Sequence, residues 1–336
     1  MTIKDIAKES GYSVSTVSRV LNKHPDVSPI AKAKIEEVVA AHNFVPNDNA
    51  KHLKQQMSKS IAVLVKGTSN MLFANIVEQL QNLIEQSQYS VFVYYMDEYD
   101  NEIEEALRLC RERKPLGILF LGGNPPGFKD KFKYINVPCV LVTNVIEADE
   151  FNNLSCVGTD DIESAKCAID YLIQLGHKQI GIIGGDLDIS YTSQQRLIGC
   201  KKSFEEHNLP FEKEKSYEKS KFSFDSSYRA MERMLTKNAN VTAVFAMSDV
   251  TAIGAICALK DRGIKVPEEI SVMGFDGIEL AKYYNPKLTT IQQQHKSIAK
   301  KSVEILLNCI ERNAGAVREV TPYILVKGES VREIKK

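Results

Sequence analysis

The sequence predicts an N-terminal all-α helix-turn-helix headpiece followed by an α/β core of two doubly wound lobes. Three observations predict it. Up to about residue 43, apolar positions recur at helical spacing, punctuated by capping residues and one turn glycine. From residue 61 the pattern changes to short β-rich apolar runs alternating with helical stretches, which specifies parallel sheets flanked by helices. These runs are too many for one comfortable sheet, and they divide into similar halves near Asp160–Ile162.

The bulk numbers set the class. A chain of 336 residues with 43% hydrophobic and 26% charged residues is an ordinary globular protein of two or three compact units. No apolar run approaches a membrane span, and the charged start Met1-Thr2-Ile3-Lys4-Asp5-Ile6 does not read as a signal peptide, so a cytoplasmic protein is expected. The seven cysteines are scattered, with no C-x-x-C pair and no His at metal spacing, which points to free thiols, no metal and no cofactor. Net charge is zero, but residues 1–60 hold nine basic and six acidic side chains, against 34 and 37 in the remainder. A basic head on an acidic body suits a short DNA-facing module.

In the head, Thr2 and Asp5 are spaced to cap a first helix reciprocally, and Ile3, Ile6 and Ala7 mark its apolar stripe. Gly11 closes that helix, because the tight turn needs a positive φ. Ser13 caps a second helix that turns Val17, Val20 and Leu21 inward and leaves Val14, Ser15, Ser18 and Arg19 outward. Two short helices around a glycine turn form a helix-turn-helix. The N-terminal end of its second helix would enter the major groove, with Arg19 placed for guanine or phosphate. An ordinary solvated amphipathic helix would show the same periodicity. Ser28 and Pro29 open a third helix with Ile35, Val38 and Val39 inward, ending near Asn43. The polar, basic segment 46–56 is too short to form a helix alone, and carries one apolar Leu53.

The run Ile3-Lys4-Asp5-Ile6-Ala7 followed by Ser13-Val14-Ser15-Thr16-Val17-Ser18-Arg19-Val20-Leu21-Asn22 resembles the lactose/galactose-repressor (LacI/GalR) family of transcriptional regulators. Phe44-Val45-Pro46-Asn47, with Ala50 and Leu53, resembles that family's hinge. The resemblance implies a headpiece over 1–46 and a hinge over 47–60. It implies DNA contacts from Val14, Ser15, Thr16, Ser18, Arg19, Asn22 and Asn49. It further implies that Leu53 wedges into the minor groove from a helix that folds on DNA. Tyr12, Lys32 and Lys51 depart from the usual residues of that pattern.

In the body, strands are expected at Ile61–Val65, Val91–Tyr95, Gly117–Leu121, Cys139–Val142, Gly181–Ile183, Ala243–Ala246 and Ser271–Phe275. Helices are expected at Ala74–Gln86, Glu102–Arg113, Ile162–Leu175 and Thr251–Arg262. Ligands of such sheets gather beyond the C-terminal strand ends. Those ends carry Thr68-Ser69-Asn70, Thr143-Asn144, Asp160, Ser248-Asp249 and Asp276, polar groups suited to a polyhydroxylated molecule. Arg196 adds a planar donor fork, and Phe73 and Phe222 add apolar faces, since the chain has no Trp. Helix capping is the commoner work of Asn, Asp and Ser at such positions.

The family resemblance extends over this body through Leu175–Gly181, Arg196–Gly199, Ser248-Asp249, Gly274–Asp276 and Leu288–Ile291. It implies a periplasmic-binding-protein-like core over 61–336, with an N-lobe of about 61–160 and 291–321 and a C-lobe of about 161–290 and 322–336. Effector contacts would come from Asn70, Phe73, Asp160, Arg196, Phe222, Asp249 and Asp276. No heptad follows the strand Tyr323–Val326, so a homodimer is expected rather than a tetramer.

Catalytic signatures are absent. Gly181–Asp186 lacks the glycines and lysine of a phosphate loop, and there is no G-x-S-x-G elbow or H-E-x-x-H pair. His177, after Gly176 at a helix end, reads as a capping or cationic residue. The expected function is an effector-responsive DNA-binding repressor of carbohydrate-utilisation genes, acting on a pseudo-palindromic operator and not as an enzyme. The alternatives are a solute-binding protein whose N-terminal helices make protein contacts, and a regulator that responds to a nucleobase.

Overall fold

The computed structural model describes residues 2–21, 26–42, 44, 59–67, 70–146 and 151–334. The chain divides into two compact units, Met1–Gln56 and Met57–Lys336.

In the first unit, the helices Ile3–Ser10, Val14–Leu21 and Pro29–Ala41 pack around Ile6, Ala7, Val17, Val20, Ile35 and Val38. The Asp5 carboxylate accepts both the Thr2 backbone N–H (2.7 Å) and the Thr2 hydroxyl (2.9 Å). Gly11 ends the first helix at φ 77°, and its N–H donates to the Ala7 carbonyl. The Ser13 hydroxyl accepts from Thr16 N–H (3.2 Å), and the Ser28 hydroxyl accepts from Ala31 N–H (3.3 Å). Each of the large buried side chains contributes about 1.5–3 kcal/mol on burial. Tyr12 packs at the edge of this core. Lys32 faces solvent beside Glu36 at 4.0 Å.

The second unit is built on two six-stranded sheets. The first comprises β1 (Ser60–Lys66), β2 (Ser90–Met96), β3 (Gly117–Leu121), β4 (Cys139–Thr143), β5 (Leu154–Thr159) and β11 (Arg318–Thr321). The second comprises β6 (Ile180–Gly184), β7 (Tyr217–Lys219), β8 (Ala243–Ala246), β9 (Ser271–Asp276), β10 (Thr289–Gln293) and β12 (Tyr323–Val326). Their orders, β11-β5-β4-β3-β1-β2 and β12-β10-β9-β8-β6-β7, follow one plan. Among the described residues, only β12 runs antiparallel to its neighbour. Central strands such as β3, β4, β6 and β8 are buried throughout, as strands covered on both faces must be.

The chain passes between the sheets after Thr159, after Gln293 and at residue 322. β10 lies wholly in the second sheet, so the middle passage comes after Gln293 rather than near 290. Helix His295–Arg312 then packs back on the first lobe, where the Leu306 side chain fills the space beside Gly117.

His177 is neither a cap nor a surface cation. It is buried, and its Nε2–H donates to the Arg332 carbonyl (3.0 Å) while Nδ1 faces the Thr242 hydroxyl (3.1 Å). A carbonyl only accepts, which fixes the neutral tautomer. Burial pushes its pKa below the usual 6.5. No helix among the described residues is long and apolar enough to cross a membrane.

Candidate effector cleft and DNA-facing helix

In both sheets the strand order reverses beside the first strand, β1 between β2 and β3 and β6 between β7 and β8. Ligands of doubly wound sheets bind at such reversals, beyond the C-terminal strand ends. A cavity of about 140 Å³ lies there, lined from both lobes. Asn70, Phe73 and Thr143 come from the first lobe, and Arg196, Phe222, Asp276 and Gln293 from the second.

Asn70 follows β1 and caps helix Met71–Glu85, its Oδ1 accepting from Leu72 N–H at 3.0 Å. The cap fixes the side chain in the cavity wall, so capping and lining are compatible here. Phe73 sits on that helix against Gly122. A Cβ at Gly122, which has φ +77°, would lie 2.6 Å from the Phe73 ring. Phe222 is held in the same way: a Cβ on Gly185 would lie 2.7 Å from its ring.

Arg196 is buried on helix Tyr191–Glu206. Its Nε donates to Asp161 Oδ1 at 2.7 Å, Nη1 donates to the Met247 carbonyl at 2.5 Å, and the guanidinium lies 3.6 Å over the Phe275 ring. Phe275 in turn packs edge-on against Phe245. This grip aims the remaining N–H groups at the cavity. Burial raises the Asp161 pKa against the pull of Arg196.

Asp276 ends β9. Its Oδ1 accepts from Gln293 Nε2 at 2.8 Å, while Oδ2 has no protein partner. Burial raises its carboxyl pKa to about 6, opposed chiefly by Arg196 and the Gln293 hydrogen bond.

Two expected residues stand elsewhere. Asp160 is not in the cavity wall; its carboxylate caps helix Asp161–Gln174 through Ile162 N–H (3.1 Å) and Glu163 N–H (3.0 Å). Asp249 is fully buried behind Asp276: Oδ1 accepts from the Thr290 hydroxyl (2.6 Å) and Oδ2 from Ile278 N–H (2.8 Å). Burial, with Asp276 close by, raises its pKa well above the usual value. It therefore braces the turn that carries Asp276. Thr68 and Ser69 lie outside the described residues.

Sequence reasoning missed Asp161, Gln293, Lys66, Lys221 and the helix start Ser190–Thr192. Gln293 ends a strand with a mixed pattern (Thr-Thr-Ile-Gln-Gln), and the Asp161–Arg196 pair spans elements distant in sequence. Thr143 was visible only as one polar strand end among several.

On the second headpiece helix, Val14 is 43% exposed, and Ser15 and Arg19 are exposed beside it. Thr16 and Ser18 are half-buried at the margins. The Ser13 hydroxyl contacts those of Ser15 (2.7 Å) and Thr16 (2.9 Å), so the helix start presents a cluster of hydroxyls. Asn22, Asn49 and Leu53 lie outside the described residues.

Comparison with known proteins matches these two units in turn. Residues 2–47 match the model of bacterial regulatory proteins of the lacI family, and residues 169–331 match that of the periplasmic binding protein-like domain. The HTH-type transcriptional regulator MalR of Clostridium butyricum is 38% identical over 98% of this chain and 99% of its own length. The chain belongs to the lacI family of bacterial regulatory proteins. The ribose operon repressor of Haemophilus influenzae is 32% identical over 92% of each chain. The lac repressor dimer, solved bound to operator and the anti-inducer ONPF, is similar over 99% of both chains, with a TM-score of 0.74 and 25% identity. The relatives are transcriptional regulators and repressors, not enzymes. As a lacI-family regulator, this protein couples a DNA-binding helix-turn-helix to a periplasmic-binding-protein-like core.

Proposed function

We propose that this regulator is a cytoplasmic homodimeric repressor of carbohydrate-utilisation genes, switched by a sugar in the cleft between its lobes. The observation that carries the effector reading is the convergence of Asn70, Phe73, Arg196, Phe222 and Asp276 on one cavity wall at both strand-order reversals. Two aromatic faces with a guanidinium and a carboxylate supply apolar contact and directional hydrogen bonds to a small polyhydroxylated molecule. The ribose operon repressor, among the relatives, is named for a sugar.

Each headpiece reads one half of a pseudo-palindromic operator, with Val14, Ser15 and Arg19 at base edges and Thr16, Ser18, Asn22 and Asn49 positioning the helix. Leu53 acts in the minor groove. Effector binding rotates one lobe against the other about the three chain passages. That changes the spacing of the two hinges in the dimer and so couples the cleft to DNA affinity.

The test selects duplexes from a random pool with the purified full-length protein, then titrates the selected sequence with and without candidate sugars. A two-fold-symmetric consensus whose occupancy changes with one sugar is expected. An unsymmetric consensus would contradict the dimer reading, and an occupancy insensitive to sugars but sensitive to a nucleobase would move the effector class.

A further inference from the structure

We propose that the cleft selects an uncharged effector that donates several hydrogen bonds, and rejects anionic congeners such as sugar phosphates and uronates. This rests on reading the cavity as the effector site.

The floor of the cavity asks for donors. Asp276 Oδ2, Gln293 Oε1 and Thr143 Oγ1 are buried without a protein partner, on residues only 1%, 2% and 4% exposed. Two are acceptors only, and they face a wall to which both lobes contribute. Sugar hydroxyls or a neutral base can donate to them and recover the lost hydrogen bonds. A phosphate dianion or a carboxylate brings acceptors only, and sets a negative oxygen against Asp276.

Each cation of the wall already faces a carboxylate. Lys66 Nζ lies 2.5 Å from Glu102 Oε2, in a pair with side chains 10% and 6% exposed. Arg196 holds the buried Asp161 at 2.7 Å, and Lys221 Nζ lies 3.7 Å from Glu98 Oε1 across the mouth. Drawing Lys66 to a ligand anion would strip the buried Glu102 carboxylate of its partner. Against these three cations, Asp97, Glu98, Asp186 and Asp276 line the same cavity, and of these Asp186 is paired with Lys219 at 2.7 Å. The local field is therefore acidic.

Helix N-termini at the cavity could reverse this, since they attract anions. Among the described residues, the two that meet it each have a backbone N–H capped from within. Asn70 Oδ1 takes Leu72 N–H, and Ser190 Oγ takes Ser193 N–H at 3.3 Å. The Ser193 hydroxyl in turn takes Gly185 N–H at 2.9 Å. Three of the backbone donors there, Leu72, Ser193 and Gly185 N–H, are thus already taken by side chains.

The experiment uses the full-length protein in calorimetry and thermal-shift assays at fixed ionic strength. Neutral sugars (glucose, ribose, maltose) are compared with glucose 6-phosphate, glucuronate and inorganic phosphate, and hypoxanthine serves as a neutral non-sugar. A neutral ligand should bind at least about 30-fold more tightly than its anionic counterpart. Inorganic phosphate at millimolar concentration should leave Tm unchanged. Glu98→Gln, which frees Lys221 and removes one acidic charge, should narrow the neutral-to-anionic ratio severalfold. An anionic congener that binds as tightly as its neutral parent overturns the inference, as does phosphate protection that Arg196→Ala abolishes or a ratio unmoved by Glu98→Gln. Binding of hypoxanthine with no sugar would support the selection by charge while ending the sugar reading.

Discussion

Gln293 donates from Nε2 to Asp276 Oδ1 at 2.8 Å, joining the ends of β10 and β9 and leaving one unpaired acceptor on each side chain for the cavity. An amide in place of the carboxylate keeps the first hydrogen bond but loses the charged acceptor. Asp276→Asn should therefore weaken effector binding by about 10- to 100-fold, the worth of a hydrogen bond to a charged group. Operator affinity without effector should stay unchanged. Calorimetry and operator titration check the two halves.

The same carboxyl gives a pH dependence with a definite sign. Its folded pKa of about 6 lies above the ordinary 3.8, so the stability this group contributes to the empty protein is lost as pH rises through 6. A donating effector needs the ionised form, so its affinity should fall as pH drops below 6, approaching tenfold per unit. Asp276→Asn should flatten that profile and raise the Tm of the empty protein at pH 7. A wild-type affinity constant from pH 7 to pH 5 would exclude Asp276 as the acceptor.

Arg196 and Asp161 form one buried unit, and removing half of it should be worse than removing both. Arg196→Met leaves the Asp161 carboxylate buried without its partner, an expected loss of about 3–5 kcal/mol. Arg196→Met with Asp161→Asn should recover a substantial part of that loss. Denaturant unfolding of the core measures the cycle. Strict additivity would contradict the pairing.

Gly122 and Gly185 seat the two rings of the cavity. Gly122→Ala forces a Cβ to 2.6 Å from the Phe73 ring at a φ of +77°. The expected cost is about 1–3 kcal/mol in stability, with weaker effector binding and intact headpiece binding to DNA. Restoring room with Phe73→Leu in the same chain should return part of the stability.

On the DNA-facing helix, Val14 and Arg19 should fail differently. If Arg19 binds a guanine, Arg19→Ala costs about 1–3 kcal/mol and relaxes one base position of the selected operator; a phosphate contact instead weakens all sequences alike and lowers the salt slope by about one. Val14→Ala should alter preference at one position, through loss of an apolar contact with a thymine methyl.

Much of this was legible in the sequence because it depends on local chemistry. Thr2, Gly11, Ser13, Ser28 and Pro29 mark helix ends by interactions within three or four residues, and the strands β1, β3, β4, β8 and β9 are continuous apolar runs. Less legible were Leu154–Thr159, broken by Ser155 and Gly158, and the short edge strands Tyr217–Lys219 and Arg318–Thr321, which carry charge. In the cleft, a polar residue at a strand end looks the same from sequence whether it caps a helix or faces a ligand. Asp160 caps, Asn70 does both, and Asp249 braces a turn beneath the site. Only the packing of the two sheets separates these roles.

The most direct test is operator binding by wild type and Arg196→Ala across a titration of the neutral sugar found by thermal shift, followed by fluorescence anisotropy on the selected duplex. The sugar should change wild-type operator affinity by about 5- to 150-fold and leave Arg196→Ala unmoved, with both proteins binding the duplex equally in its absence. An equal sugar response in the two proteins would contradict a switch seated in this cleft.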